Sequence, residues 1–281
     1  MITSRISLET LENLVSQAST DTIELSLASD HKSIAEVDQV IGRAFHNYAL
    51  FVWALDKLDK NLFPQGILFL SQMFQNMCTS TGFIIQAKDK KNGKVVGACE
   101  VSYEKPSTWK FLRFFQELYY FFIPLIKSIL FGKIGLPWFL FKCPPQLRSL
   151  IFKRMRAIDQ LTDERRKVMG LREHLYLAIL ATDPEIQSGG VGTALMKGVE
   201  KVAEHLGIPT YLETDTERLR NYYTKNGFRL TCQYVVHDDI QPFEPNFGLL
   251  KEPIVMSKDS QKSDRNRSEQ TPIAIGSRAL L

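Results

Sequence analysis

The sequence predicts a mixed α/β fold of the α+β kind, a central sheet flanked by helices, and three observations carry this. The stretch His174 to Leu206 reads as an apolar run (Leu175 to Ala181), a glycine-bearing turn (Gln187 to Gly192) and an amphipathic segment (Val191 to Leu206). In that segment Val191, Leu195, Val199, Val202 and Leu206 recur at the three- and four-residue steps that align on one helical face. Short runs with strand character stand on both sides of this unit, and Lys90-Lys91-Asn92-Gly93 between two of them carries the Asn-Gly pair of a hairpin.

Taken in order, residues 1–20 predict a short peripheral helix around Leu8 to Ala18, followed by an alternating strand from Thr22 to Ala28. Ile34, Val37, Ile41, Phe45 and Tyr48 form one stripe, which predicts a helix from Ser33 to Leu58. Its His46 has no neighbour that suggests a titrating partner and reads as a surface or packing residue. A second helix is expected from Gln65 to Met77, then strands at Gly82 to Ala87 and Lys94 to Tyr103.

Residues 105–172 form a long insertion with fourteen Lys and Arg against four Asp and Glu, so the remainder of the chain is net negative beneath an overall charge of +4. Within it, Leu118 to Phe141 carries only Lys127 and Lys133 as charges. Two central lysines cost about 2.5 to 3.5 kcal/mol each on insertion scales, and Pro124 and Pro137 interrupt the run, which argues against a spanning helix. Two readings stay open: an apolar wall over a binding site, which is favoured, or a peripheral membrane contact through 118–141. Pro144 to Gly170 reads as a basic helical stretch in which Arg165-Arg166-Lys167 is a solvated face.

After the amphipathic helix, closed by Gly207 and Pro209, a strand is expected from Pro209 to Thr214, and a helix starts near Thr214 on capping-box spacing. Leu219, Tyr222 and Tyr223 face inward on it, with Tyr222 the core residue, and Asn226-Gly227 ends it. Two last strands, Phe228 to Val236 and Leu249 to Met256, pair across a loop holding Pro242 and Pro245. One domain covers 21–256, and a polar tail, 257–281, reads as disordered. Glu9 and Glu12 interrupt any signal-peptide core, and Cys78, Cys99, Cys143 and Cys232 are scattered, so a cytoplasmic protein without structural metal is expected.

The first turn of a helix offers unpartnered N–H groups and the positive end of its dipole, so the glycine turn before Val191 is a candidate phosphate site. The dinucleotide fingerprint and the Walker loop both fail against it, and a plain strand-to-helix turn is the simpler reading. The residues present, Gln187-x-x-Gly190-x-Gly192, resemble the acetyl-CoA pyrophosphate loop of the GNAT superfamily of N-acetyltransferases. Tyr211-Leu212-Glu213-Thr214 and Tyr223-x-x-x-Gly227-Phe228 are similar to that superfamily's next strand and its Tyr-x-x-x-Gly-Phe segment. The likeness is closest to the branch of puromycin-type N-acetyltransferases, is tight over 175–236 and omits the insertion and the tail.

What the resemblance implies is a GNAT fold whose central strand splays from its neighbour, binding acetyl-CoA and transferring its acetyl group directly to a primary amine. Backbone at Leu180, Ala181 and Thr182 would meet the thioester and pantetheine, and Gln187, Ser188, Gly189, Gly190, Val191, Gly192 and Thr193 the pyrophosphate. Tyr223 would be the general acid. Glu213 would act as base or bind the ammonium, with His174 the second choice as base. No nucleic acid partner and no metal are implied, and the acceptor, acyl length and oligomeric state are not readable. The other reading is a GNAT-fold protein that binds CoA without efficient turnover, a sensor or a membrane-docked adaptor.

Overall fold

The computed structural model describes residues 2–46, 48–105, 143–145, 148–150, 153–154, 163–165, 167–170, 172–186, 189–236 and 243–254. The apolar stretch 118–141, the tail 257–281, and Gln187 and Ser188 therefore lie outside the described residues.

Among the described residues, seven strands form one mixed sheet: β1 (Ile23–Leu27), β2 (Phe83–Asp89), β3 (Val95–Glu104), β4 (His174–Thr182), β5 (Thr210–Thr214), β6 (Arg229–Val236) and β7 (Phe243–Lys251). Their spatial order is β1-β2-β3-β4-β5-β7-β6, antiparallel throughout except for β4 and β5. Helices α1 (Leu8–Ser16) and α5 (Val191–Leu206) cover one face; α2 (His31–Ala44) and α4 (Phe63–Thr81) cover the other, with α3 (Ala49–Leu55) against α4. Helix α6 (Glu217–Lys225) packs on β6 and β7.

The main core lies between α1, α5 and the sheet, because the stripe read from the sequence buries Val191, Leu195, Val199 and Val202 there. The first helix, expected to be peripheral, is part of this core. Ser7 caps it, and Leu11 and Val15 sit beside Ile2, Ile6 and Ala18 with Leu14 packed against them, while Leu8 stays exposed.

Other expectations shift in detail. The helix expected over Ser33 to Leu58 is two, α2 and α3, broken at Phe45 to Tyr48; Asp30 caps the first, accepting from the N–H groups of Lys32 and Ser33. The last helix is capped by Thr216, not Thr214, whose side chain is buried. The last strand begins at Phe243 rather than Leu249. Pro245 is accommodated inside it at a register shift against β6, where a ladder N–H is not required. Backbone at 148–150, 163–165 and 167–169 is helical, as the basic stretch implied.

One buried ion pair ties α2 to the end of β4. The Asp183 carboxylate is fully buried; Arg43 Nη2 lies 2.8 Å and Lys94 Nζ 3.5 Å from its Oδ2, and the Glu185 N–H donates to Oδ1 at 3.2 Å. Burial alone would raise its pKa, but the Glu185 amide and Arg43 outweigh this and hold it below the ordinary carboxylate range. Because the folded pKa is depressed, the pair's contribution is full above the unfolded value and is lost as pH falls through the folded one. Arg43→Ala is expected to cost about 1–3 kcal/mol in urea melts at pH 7, with the gap to wild type closing below roughly pH 4.

Candidate functional site

Strands β4 and β5 are joined at only three residue pairs, Leu175 with Thr210, Tyr176 with Tyr211 and Leu177 with Leu212. Ala178 is then an extra residue against β3, whose Glu100 pairs with Ile179 and whose Val101 pairs with Leu177. Such a bulge bends the strand and resets which amides face which neighbour. Before it the Leu175 N–H donates towards β5, to Pro209 O; after it the Asp183 N–H donates towards β3, to Val96 O. Alternation back from Asp183 turns the Ala181 N–H to β3 and the N–H and C=O of Leu180 and Thr182 to the side where β5 has departed. Of the three residues expected at this position, two face the opening with their main chain and Ala181 does not.

The opening is a cavity of about 770 Å³, within the usual range for a small-molecule site. Its wall includes Leu180 and Thr182, the first turn of α5 (Gly190, Val191, Gly192, Thr193), and Glu213, Tyr222 and Tyr223. Phe45 and Tyr48, from the α2–α3 break, and Leu50 and Phe51, from the start of α3, also line it. Phe45 and Tyr48 meet edge to face at 4.8 Å between ring centres.

Among the described residues no side chain caps the start of helix α5. Gly190, the residue before it, has φ +76°, a left-handed conformation that favours glycine, and its carbonyl accepts the Ala194 N–H, the first bond of the helix. The N–H groups of Val191, Gly192 and Thr193 thus precede the intrahelical ladder and open towards the cavity. Gly189 differs: its N–H donates to Ile186 O at 3.3 Å. Uncapped amides, a helix dipole, and free main chain on Leu180 and Thr182 fit a diphosphate joined to an extended amide-bearing arm, the chemistry of a CoA-type ligand.

Tyr223 is buried and lines the cavity, in edge contact with Tyr222 at 5.3 Å and Phe228 at 5.8 Å. The expectation for its neighbour is reversed, since Tyr222 is only partly buried and its hydroxyl is 3.5 Å from Thr193 Oγ1 at the start of α5. Burial, with Tyr222, Cys99 and Asp215 nearby, raises the Tyr223 phenol above its ordinary pKa, so it stays protonated through the neutral range. A phenol shifted this way gives up its proton only to a strongly basic partner.

The Glu213 side chain is 7% exposed, and among the described residues neither of its oxygens has a hydrogen bond of normal geometry. Burial raises its pKa; Arg165, 3.8 Å away, and the adjacent Tyr176 phenol act in the opposite sense. Arg165 corrects the sequence reading of a solvated face: it is 6% exposed, with Cζ 3.7 Å from the Tyr176 ring centre. The signal that would have found it is helical spacing, since Val168 and Met169, three and four residues on, also pack inward. His174 lies outside the cavity wall, its Nδ1 3.0 Å from Arg172 O, and burial lowers its pKa. His46 is exposed, edge-on to Phe63.

Next to Glu213, Asp215 is 5% exposed and its carboxyl is pushed up to about 6, mainly by burial, with its own backbone N–H and that of Leu50 offsetting part. Its folded pKa is raised, so the folded state favours the neutral acid, and that contribution is full below the unfolded value near 3.8 and lost as pH rises through about 6. Asp215→Asn, neutral at every pH, is expected to be more stable than wild type by about 2–3 kcal/mol at pH 8 and level with it at pH 4, read by urea denaturation.

Residues 160–228 match the family model described as acetyltransferase (GNAT) family. Among solved structures the chain is similar to one titled histone acetyltransferase HPA2 and related acetyltransferase from Corynebacterium glutamicum. The identity is 19%, the match covers 84% of this chain and 99% of that one, and the TM-score is 0.52. It is also similar to a mosquito arylalkylamine N-acetyltransferase like 5b (12% identity, 82% and 100% covered, TM-score 0.51). Arylalkylamine N-acetyltransferase 2 from Aedes aegypti matches comparably (12%, 82% and 98%, TM-score 0.51). The seven-stranded mixed sheet parted between β4 and β5 gives the chain the fold that these acetyltransferase structures share, the GNAT fold, and residues 160–228 carry the family match.

Proposed function

We propose that the protein transfers an acetyl group from acetyl-CoA to a primary amine by direct attack of the amine on the thioester. One observation carries this reading: the open main chain of β4, the uncapped start of α5, Tyr223 and Glu213 all line one cavity. In this reading the N–H groups at 190–193 hold the pyrophosphate, and Leu180 and Thr182 pair with pantetheine as an added strand would. Ala181 then serves by holding β4 to β3 rather than by touching the ligand.

The chemistry needs a polarised carbonyl, a neutral amine and a proton for the thiolate. The preorganised backbone N–H groups on the open side of β4 stabilise negative charge developing on the thioester oxygen, an effect commonly worth a few kcal/mol. The amine nitrogen bonds to the acyl carbon, the carbon–sulfur bond breaks, and Tyr223 gives its proton to the departing sulfur. Burial raises the phenol's pKa, so the proton moves less readily than from a free phenol, and Tyr223 acts first as a hydrogen-bond donor to the sulfur as charge builds there. Glu213 receives the ammonium form of the acceptor or takes its proton, a role supported by the likeness of Tyr211-Leu212-Glu213-Thr214 to the puromycin-type branch; no antibiotic substrate follows from that likeness. A cytoplasmic setting and 105–172 as a wall of the acceptor side complete the reading.

The test is thiol release from acetyl-CoA across a panel of primary amines, with the N-acetyl product identified by mass spectrometry and CoA binding followed by calorimetry. Turnover with a matching product supports the proposal. Heat of CoA binding with no turnover across the panel favours a CoA sensor, and no heat at millimolar CoA on folded protein removes the coenzyme site altogether.

A further inference from the structure

The cavity holds two opposite charges that the reaction as described leaves half used. Arg165 Nη1 and Glu213 Oε1 face each other at 3.8 Å, too far for a hydrogen bond, with the side chain of each less than a tenth exposed. Among the described residues neither Glu213 oxygen has a hydrogen bond of normal geometry, the Tyr176 phenol being its nearest polar neighbour besides Arg165, and Thr214 Oγ1, also lining the cavity, is likewise buried without a partner. The guanidinium lies over the Tyr176 ring at 3.7 Å and lines this space, with Glu213 its nearest carboxylate among the described residues and Glu104 acting from farther off. A buried ion pair is favourable only when close geometry and extra hydrogen bonds offset desolvation, and here the charges stand 3.8 Å apart with the Tyr176 phenol acting on both. A ligand that supplies them would complete the site.

We propose that Arg165 binds a carboxylate on the acceptor, so that the acceptor class is amino acids, amines carrying a carboxylate near the reacting nitrogen. This rests on the acetyl-transfer reading above and narrows its substrate. The ammonium takes the Glu213 oxygens and the carboxylate takes the Arg165 fork, which turns one strained pair into a ring of four alternating charges. A lone ammonium brought to Glu213 meets the Arg165 charge a few ångströms away and is repelled. The carboxylate of the same molecule cancels that repulsion. Phe45, Tyr48, Leu50 and Phe51, which line the same cavity, supply apolar wall for a large side chain. Arg165 enters from the segment between β3 and β4, so the insertion contributes the residue that selects the acceptor.

The experiment uses the full chain and matched pairs that differ only in the carboxylate: phenylalanine with phenethylamine, tyrosine with tyramine, leucine with isopentylamine. In wild type, kcat/KM for the amino acid should exceed that of its decarboxylated partner at least tenfold. Arg165→Met should narrow that ratio at least tenfold, and Arg165→Lys, which keeps the charge and loses the fork, should fall between. The ratio within a pair cancels general damage to the site. Should Arg165→Met fail to fold, the wild-type preference and the Lys variant decide. Turnover of both members with no preference for the carboxylate, or a ratio unmoved by either variant, overturns the inference and leaves acetyl transfer standing. No turnover of any member at saturating acetyl-CoA overturns both.

Discussion

Tyr223→Phe is expected to lower kcat for acetyl transfer by roughly 10²- to 10⁴-fold, the span of a positioned general acid, while acetyl-CoA still binds. The substitution removes one oxygen and keeps the ring that packs on Tyr222 and Phe228, so the fold loses little. Loss of a merely structural tyrosine would show in the melting temperature before it showed in turnover. Steady-state thiol release, a thermal melt and CoA calorimetry on the same preparation separate the two. Full activity in Tyr223→Phe would move the proton donor elsewhere, and the partly exposed Tyr222, whose hydroxyl approaches Thr193, would be examined next.

The second large effect is expected at Gly192. A Cβ there stands 3.3 Å from the Tyr222 hydroxyl and 3.6 Å from Thr182 Oγ1, tight but not impossible in the free protein. The branches of a valine, however, occupy the space in front of the first-turn amides of α5. Losing two charge-assisted hydrogen bonds to a diphosphate at about 1.5–2 kcal/mol each amounts to roughly 3–4 kcal/mol, on the order of 10²- to 10³-fold in affinity. Gly192→Val should therefore raise the Kd for CoA at least a hundredfold by calorimetry, with the melting temperature of the free protein little changed. A variant that binds CoA normally would show that the helix start is only a turn.

How much of this was legible beforehand depends on how local the cause is. The strand, turn and helix around Val191 are readable because 3.6-residue periodicity, glycine placement and the stop at Gly207 are properties of adjacent residues. The break between α2 and α3 was not, because Phe45 and Tyr48 continue the helical stripe while packing against one another. Arg165 was missed for a related reason: in a run of three basic residues, only helical phase and the distant partners Tyr176 and Glu213 distinguish the buried one from the solvated ones. The parity change at Ala178, which decides that Ala181 points away from the opening, arises from pairing with β3 and leaves no mark in the sequence of β4.

The three rungs between Leu175–Leu177 and Thr210–Leu212 have a mechanical consequence. A sheet fastened at one end of a seam is stiff there and compliant at the other, so its two halves can pivot without breaking a ladder on either side. Whatever fills the wedge with its own amides supplies the missing rungs and locks the pivot, and the ligand thereby becomes a structural member of the sheet.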